Sequence, residues 1–114
     1  MNMRRITTLL MTIILIFCGT ATAADLDTII AGCDGCHGEN GVSQWNDVPT
    51  IAGIDAFVHS DALYVYRDEE RPCAMSEYRW GDTDRAATSM CEVTQDLSDD
   101  QIEEIAEHYA ALPF

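Results

Sequence analysis

The chain has 114 residues, with 20 acidic side chains against six arginines and no lysine, a formal charge of −14. So anionic a chain argues against nucleic acid or an anionic membrane surface as a partner. Its length supports one domain and no more.

Residues 1–5 are basic, 9–17 are almost wholly apolar, and 19–24 are small. That order is a secretory signal peptide, with cleavage expected after Ala23 or Ala24. The apolar run is shorter than the roughly 20 residues a spanning helix needs, so no membrane insertion is expected after cleavage. Arg4-Arg5 lacks the flanks of a twin-arginine signal, and Cys18 follows bulky Phe17 where a lipoprotein signal has a small residue. The expected product is periplasmic, spans 25–114, and sets four arginines against 20 acids, a difference of −16. Such charge suits docking to a basic partner, or equally a surface adapted to a saline or alkaline habitat.

Residues 25–36 read as a first helix, with Leu26, Ile29 and Ile30 on one face and acidic Asp25 and Asp27 at its start. It closes on Cys33-Asp34-Gly35-Cys36-His37, the attachment spacing of a c-type haem. Two thiols one turn apart can add across the two vinyl groups of haem, and the next residue then supplies an axial imidazole. A zinc half-site would need a second close pair of ligands. A thioredoxin-like dithiol would follow a strand in an α/β pattern. Neither accompaniment is present in the sequence. One covalent haem c is expected, on Cys33 and Cys36, with His37 on the iron.

Gly38 to Gly41 breaks the helix, and a polar loop leads to Val48-Pro49-Thr50-Ile51-Ala52-Gly53. Residues 55–69 read as a second helix with Phe57, Leu63, Tyr64 and Tyr66 as packing candidates. Residues 71–95 carry Pro72 and Gly81 and read mostly as loop, with short helical turns allowed. Trp45, Tyr78, Arg79 and Trp80 are candidates for lining the haem or meeting its propionates, and equally for ordinary packing.

Five cysteines divide simply: Cys18 leaves with the signal, Cys33 and Cys36 take the haem, and Cys73 and Cys91 remain. In an oxidising compartment that even pair is a disulfide by default. The bridge would be worth about 2–4 kcal/mol. Were the pair reduced, Cys73 and Cys91 with His59, His108 and a spare methionine could instead hold copper.

The final helix opens on Ser98-Asp99-Asp100-Gln101, a capping box. Ile102, Ile105, Ala106, Tyr109 and Leu112 follow at helical spacing, Glu103, Glu104 and Glu107 form the wet face, and Pro113 ends it. This helix is expected to cross the first, in an all-α fold. For the second axial position the mature chain offers Met75 and Met90 as thioethers and His59 and His108 as imidazoles.

Cys33-x-x-Cys36-His37 near the start of the mature chain, with Met90 shortly before the capping box, resembles the class I cytochromes c. That resemblance implies a small fold of helices packed around one haem, with Met90 as the favoured axial ligand and Met75 as its alternative. Several further blocks resemble the cytochrome subunit of flavocytochrome c sulfide dehydrogenase. They are Cys33-x-x-Cys36-His37-Gly38-x-x-Gly41-Val42-Ser43, Pro49-Thr50-Ile51-Ala52-Gly53, Tyr66-Arg67 to Arg71-Pro72, and Ile105-Ala106-x-x-Tyr109-Ala110-x-Leu112-Pro113-Phe114. The chain has one CxxCH where some members have two, and a long segment between Cys73 and Cys91. This second resemblance implies a non-catalytic subunit accepting electrons from a sulfide-oxidising flavoprotein, whose own subunit carries FAD, and passing them to a further cytochrome or oxidase. It also implies that the Pro49 carbonyl accepts a hydrogen bond from His37. A free, diffusible electron carrier is the alternative.

Overall fold

Among the described residues, each α-helix begins at a side chain that accepts backbone N–H groups. The computed structural model describes residues 25–114; the expected signal peptide, residues 1–24, lies outside the described residues. Asp25 accepts from Thr28 and opens α1, Leu26–His37. Asp55 accepts from Phe57 and Val58 and opens α2, Ala56–Arg67. Ser89 accepts from Glu92 and opens the short α3, Met90–Gln95. Ser98 and Gln101 close the expected capping box at α4, Asp99–Ala110, with both bonds present at 3.1 and 2.9 Å. Caps of this kind contribute about 1 kcal/mol each.

The architecture is all-α, as expected. Among the described residues the one sheet-like element is an isolated antiparallel bridge between Ser76 and Thr88. A single 3-10 turn, Glu39–Gly41, follows α1. The second helix stops at Arg67 rather than 69, because Asp68 caps it and Glu69 turns to a positive φ of 56°. Residues 71–95 are less irregular than expected. The Ser89 cap draws the last six of them into α3, so that Met90 begins a helix instead of lying in a loop.

The core sits where α4 meets α1 and α2: Ile30, Leu63, Ile102, Ile105 and Tyr109 are buried against one another and Ile51. Tyr64 donates to Glu103, and Arg67 pairs with Asp99 at 2.7 Å, fastening α2 to α4. Gly41 combines a φ of +75° with the Tyr109 ring lying 2.7 Å from where a Cβ would stand, so only glycine fits the turn. Each of the four arginines among the described residues lies over an aromatic ring: Arg67 on Tyr64, Arg71 on Tyr66, Arg79 on Trp45 and Arg85 on Tyr78.

The Cys73–Cys91 disulfide is formed, with Cα atoms 5.9 Å apart. Its thiols are therefore not available to the copper site considered above. The bridge stands in register with the Ser76–Thr88 pair, each partner lying three residues further out. Segments 73–76 and 88–91 are thus tied at both ends, by the bridge at one and by the Ser76–Thr88 pair at the other.

Candidate functional site

The last turn of α1 delivers Cys33, Cys36 and His37 to one wall of a cavity of about 450 Å³. Val48, Pro49 and Ile51 form a second wall, and α2 adds His59 and Ala62. The third side is the tied segment, with Met75, Ser76 and Tyr78, and α3 with Met90 and Val93. Ile105 of α4 also reaches it. The lining is mostly apolar, with a few polar donors, the usual make-up of a cofactor pocket.

His37 is buried, and its Nδ1 lies 2.7 Å from the Pro49 carbonyl oxygen. A carbonyl can only accept, so Nδ1 carries the proton and Nε2 keeps the lone pair a metal would use. Burial lowers the His37 pKa, against the smaller opposing pull of the Pro49 carbonyl and Asp34, so the ring is held neutral. Both cysteines of the motif are free thiols. Burial, and then Asp34, push Cys33 up to about 11, and burial raises Cys36 as well. The pair is held protonated, the reverse of the depressed thiolate that a thioredoxin-like dithiol uses. Among the described residues, no three His, Cys, Asp or Glu side chains converge as a metal site.

The four candidates for a second axial ligand are not equivalent. Met90 is half-buried, packs against the core cluster and lines the cavity. Met75 also lines it but is 61% exposed. His59 is buried in the wall on α2, its Nδ1 without a hydrogen-bond partner, and burial, then His37, lowers its pKa. His108 is not in the wall; it stands edge-on to the Tyr109 ring at 5.0 Å.

Of the aromatic candidates, Tyr78 lines the cavity, and the 78–80 segment docks on the thiol-bearing turn. The N–H groups of Arg79 and Trp80 both donate to the Gly35 carbonyl, at 2.7 and 3.0 Å. Gly35 is small for this reason: a Cβ there would come within 2.6 Å of the Tyr78 ring. Trp45 lies beneath the Arg79 guanidinium, which grips Asp47 through two bonds of 2.7 and 2.6 Å. Trp80 instead lines a smaller hollow of about 210 Å³ with Asp34, Gly35 and Arg85. Nothing in the sequence pairs Gly35 with Tyr78, or sets His59 into the cavity wall; both depend on how distant segments meet. The chain matches no protein-family model and has no significant similarity to a curated protein.

Proposed function

We propose that this chain is an exported monohaem c-type electron-transfer protein, and that the observation carrying this reading is the meeting of Cys33, Cys36, His37 and Met90 around one apolar cavity. The donor set fits haem c. Two protonated thiols one helical turn apart supply the S–H groups that add across two vinyl groups with no leaving group. A neutral imidazole fixed through Nδ1 offers Nε2 to the iron, and a half-buried thioether is available as second ligand. A cavity of about 450 Å³ falls in the range that encloses cofactors.

When bound, the haem would supply one-electron acceptance and release. The chain's part is to hold and tune it. The Pro49 carbonyl orients His37, Ile51, Val93 and Ile105 would keep water from the haem, and Met90 would raise its potential relative to a second imidazole. With His37 and Met90 both on the iron beside the four porphyrin nitrogens, no position would remain for substrate, which suits electron relay over catalysis.

The donor in this reading is a sulfide-oxidising flavoprotein with its own FAD, and the acceptor a further cytochrome or oxidase. The support is the resemblance of the Cys33–Ser43, Pro49–Gly53 and C-terminal blocks to the flavocytochrome c subunit. The location is the periplasm, supported by residues 1–24 and by the disulfide. A free carrier is the second reading; 20 acids on so small a chain suit brief electrostatic encounters as well as docking in a complex. Isolation of the native protein tests both. A haem c spectrum with copurifying flavin, and haem reduction on adding sulfide, support the subunit; a small flavin-free monomer supports the carrier; a chain without haem overturns both.

A further inference from the structure

We propose that Cys73 and Cys91 are positioning residues for Met90, their disulfide holding that thioether on the cavity wall; this rests on the haem reading above. Cys91 directly follows Met90, and Cys73 lines the same cavity. Three residues inward, Ser76 and Thr88 exchange both backbone hydrogen bonds, at 2.7 and 2.9 Å. Ala74 and Met90 each lie one residue inside the bridge, and both line the cavity. The disulfide is therefore the covalent tie between the 73–76 wall and the first turn of α3.

The other restraints on α3 tie it to α2 and the core: Thr94 is buried, Gln95 donates to the Arg67 carbonyl at 2.7 Å, and Met90 packs against the core cluster, but none of these reaches the 73–76 wall. The third helix has six residues, too few to hold itself together without tertiary support. Ser89 caps it, and the Thr94 hydroxyl donates to the Met90 carbonyl at 2.7 Å, but both bonds lie within the helix and its cap. They shape α3 without fixing it to the opposite wall. The bridge, by contrast, restrains the backbone at the residue next to the ligand. Cutting it frees the Met90 turn to move away while α1, α2 and α4 keep their own caps and core.

An external ligand binds ferric iron only in the fraction of molecules whose methionine is detached, so its apparent affinity reports that fraction. The test uses the full chain, matured with covalent haem, as wild type, as Cys73→Ser/Cys91→Ser and as Cys73→Ala/Cys91→Ala. The readouts are the thioether-to-ferric-iron charge-transfer band, cyanide affinity, and far-ultraviolet circular dichroism. Both double variants are expected to keep haem and helix content. The band should fall by about half or more and cyanide affinity rise about tenfold or more.

The native sequence gives a second preparation. A phosphine cleaves the bridge, taking oxygen from water to become phosphine oxide and leaving two thiols. These are alkylated, and the haem is then returned to the ferric state with ferricyanide. The same two changes are expected. An unchanged band and cyanide affinity with intact helices overturns the proposal and leaves the haem reading standing. Loss of helices in all preparations also overturns it, because the bridge would then support the whole fold rather than one ligand. A chain that takes no haem overturns both.

Discussion

Tyr109 on α4 donates its hydroxyl to the Asp34 carboxylate on α1, 2.5 Å away, joining residues 75 apart in the chain. Asp34 lies between the two motif cysteines, so the last helix grips the thiol-bearing turn itself. Burial first, then Cys33 and Asp34 beside it, hold the Tyr109 phenol far above the ordinary tyrosine range, keeping it a donor. Tyr109→Phe keeps the ring and removes the bond. A loss of about 1–3 kcal/mol is expected in urea unfolding, since it strands a half-buried acceptor. A change within about 0.5 kcal/mol would show that water replaces the phenol without penalty.

Gly35→Ala sets two effects against each other. Alanine in place of glycine favours a helix by about 1 kcal/mol. The new methyl would stand 2.6 Å from the near edge of the Tyr78 ring, with the Trp80 carbonyl at 3.5 Å. Overpacking of that kind costs about 1–3 kcal/mol, so a net loss of about 1 kcal/mol is expected in thermal unfolding. In a Tyr78→Ala background the same substitution should become neutral or stabilising. If the sign does not change there, the ring is not what keeps residue 35 small.

Met90→Ala and Met75→Ala separate the two thioethers by their burial. The first should lower the reduction potential on the order of 0.1 V, within the roughly 0.8 V that axial ligands command. The second, with its side chain largely in water, should leave the potential unchanged. Potentiometric titration of both variants decides the assignment, and the reverse pattern would move it to Met75.

His59 makes the fold acid-sensitive in a definite window. An unfolded imidazole takes up a proton near pH 6.5, whereas burial and His37 hold folded His59 lower. Below 6.5 the unfolded state binds more protons, so stability falls as pH drops and continues to fall until the folded pKa is passed. Asp25 and Asp47, held below the carboxylate value of 3.8 by Thr28 and Arg79, contribute only at more acid pH. Buried His37, lowered in the same way, contributes to the same window, so urea midpoints between pH 7.5 and pH 5 should decline in wild type and decline less steeply in His59→Leu. Parallel declines would remove His59 as the cause.

The parts of this fold readable in the sequence are those fixed within a few residues. Asp25, Asp55 and Ser98 announce three helix starts because a cap is a local bond, and CxxCH delivers three donors on one turn by helical spacing alone. The pairing of Cys73 with Cys91 followed from counting. The path of residues 68–89 could not be read this way. Its anchors are the Gly35 carbonyl, the Thr88 backbone and the far half of the disulfide, all distant in sequence. Met90 shows the limit most plainly: only the resemblance to class I cytochromes c pointed to it as a ligand, and no local pattern in residues 68–89 shows how the chain returns there to the cavity.

The arginines that lie on aromatic rings have a consequence for the molecule in solution. Only Arg67 and Arg79 also form ion pairs with carboxylates among the described residues, so most of the 20 acids carry a charge that no arginine neutralises. The folded chain is a compact polyanion working against its own field. Salt shortens the reach of that field, from about 30 Å at 0.01 M to about 8 Å at 0.15 M. The protein should therefore unfold at progressively higher temperature as sodium chloride is added, and be least stable in dilute buffer.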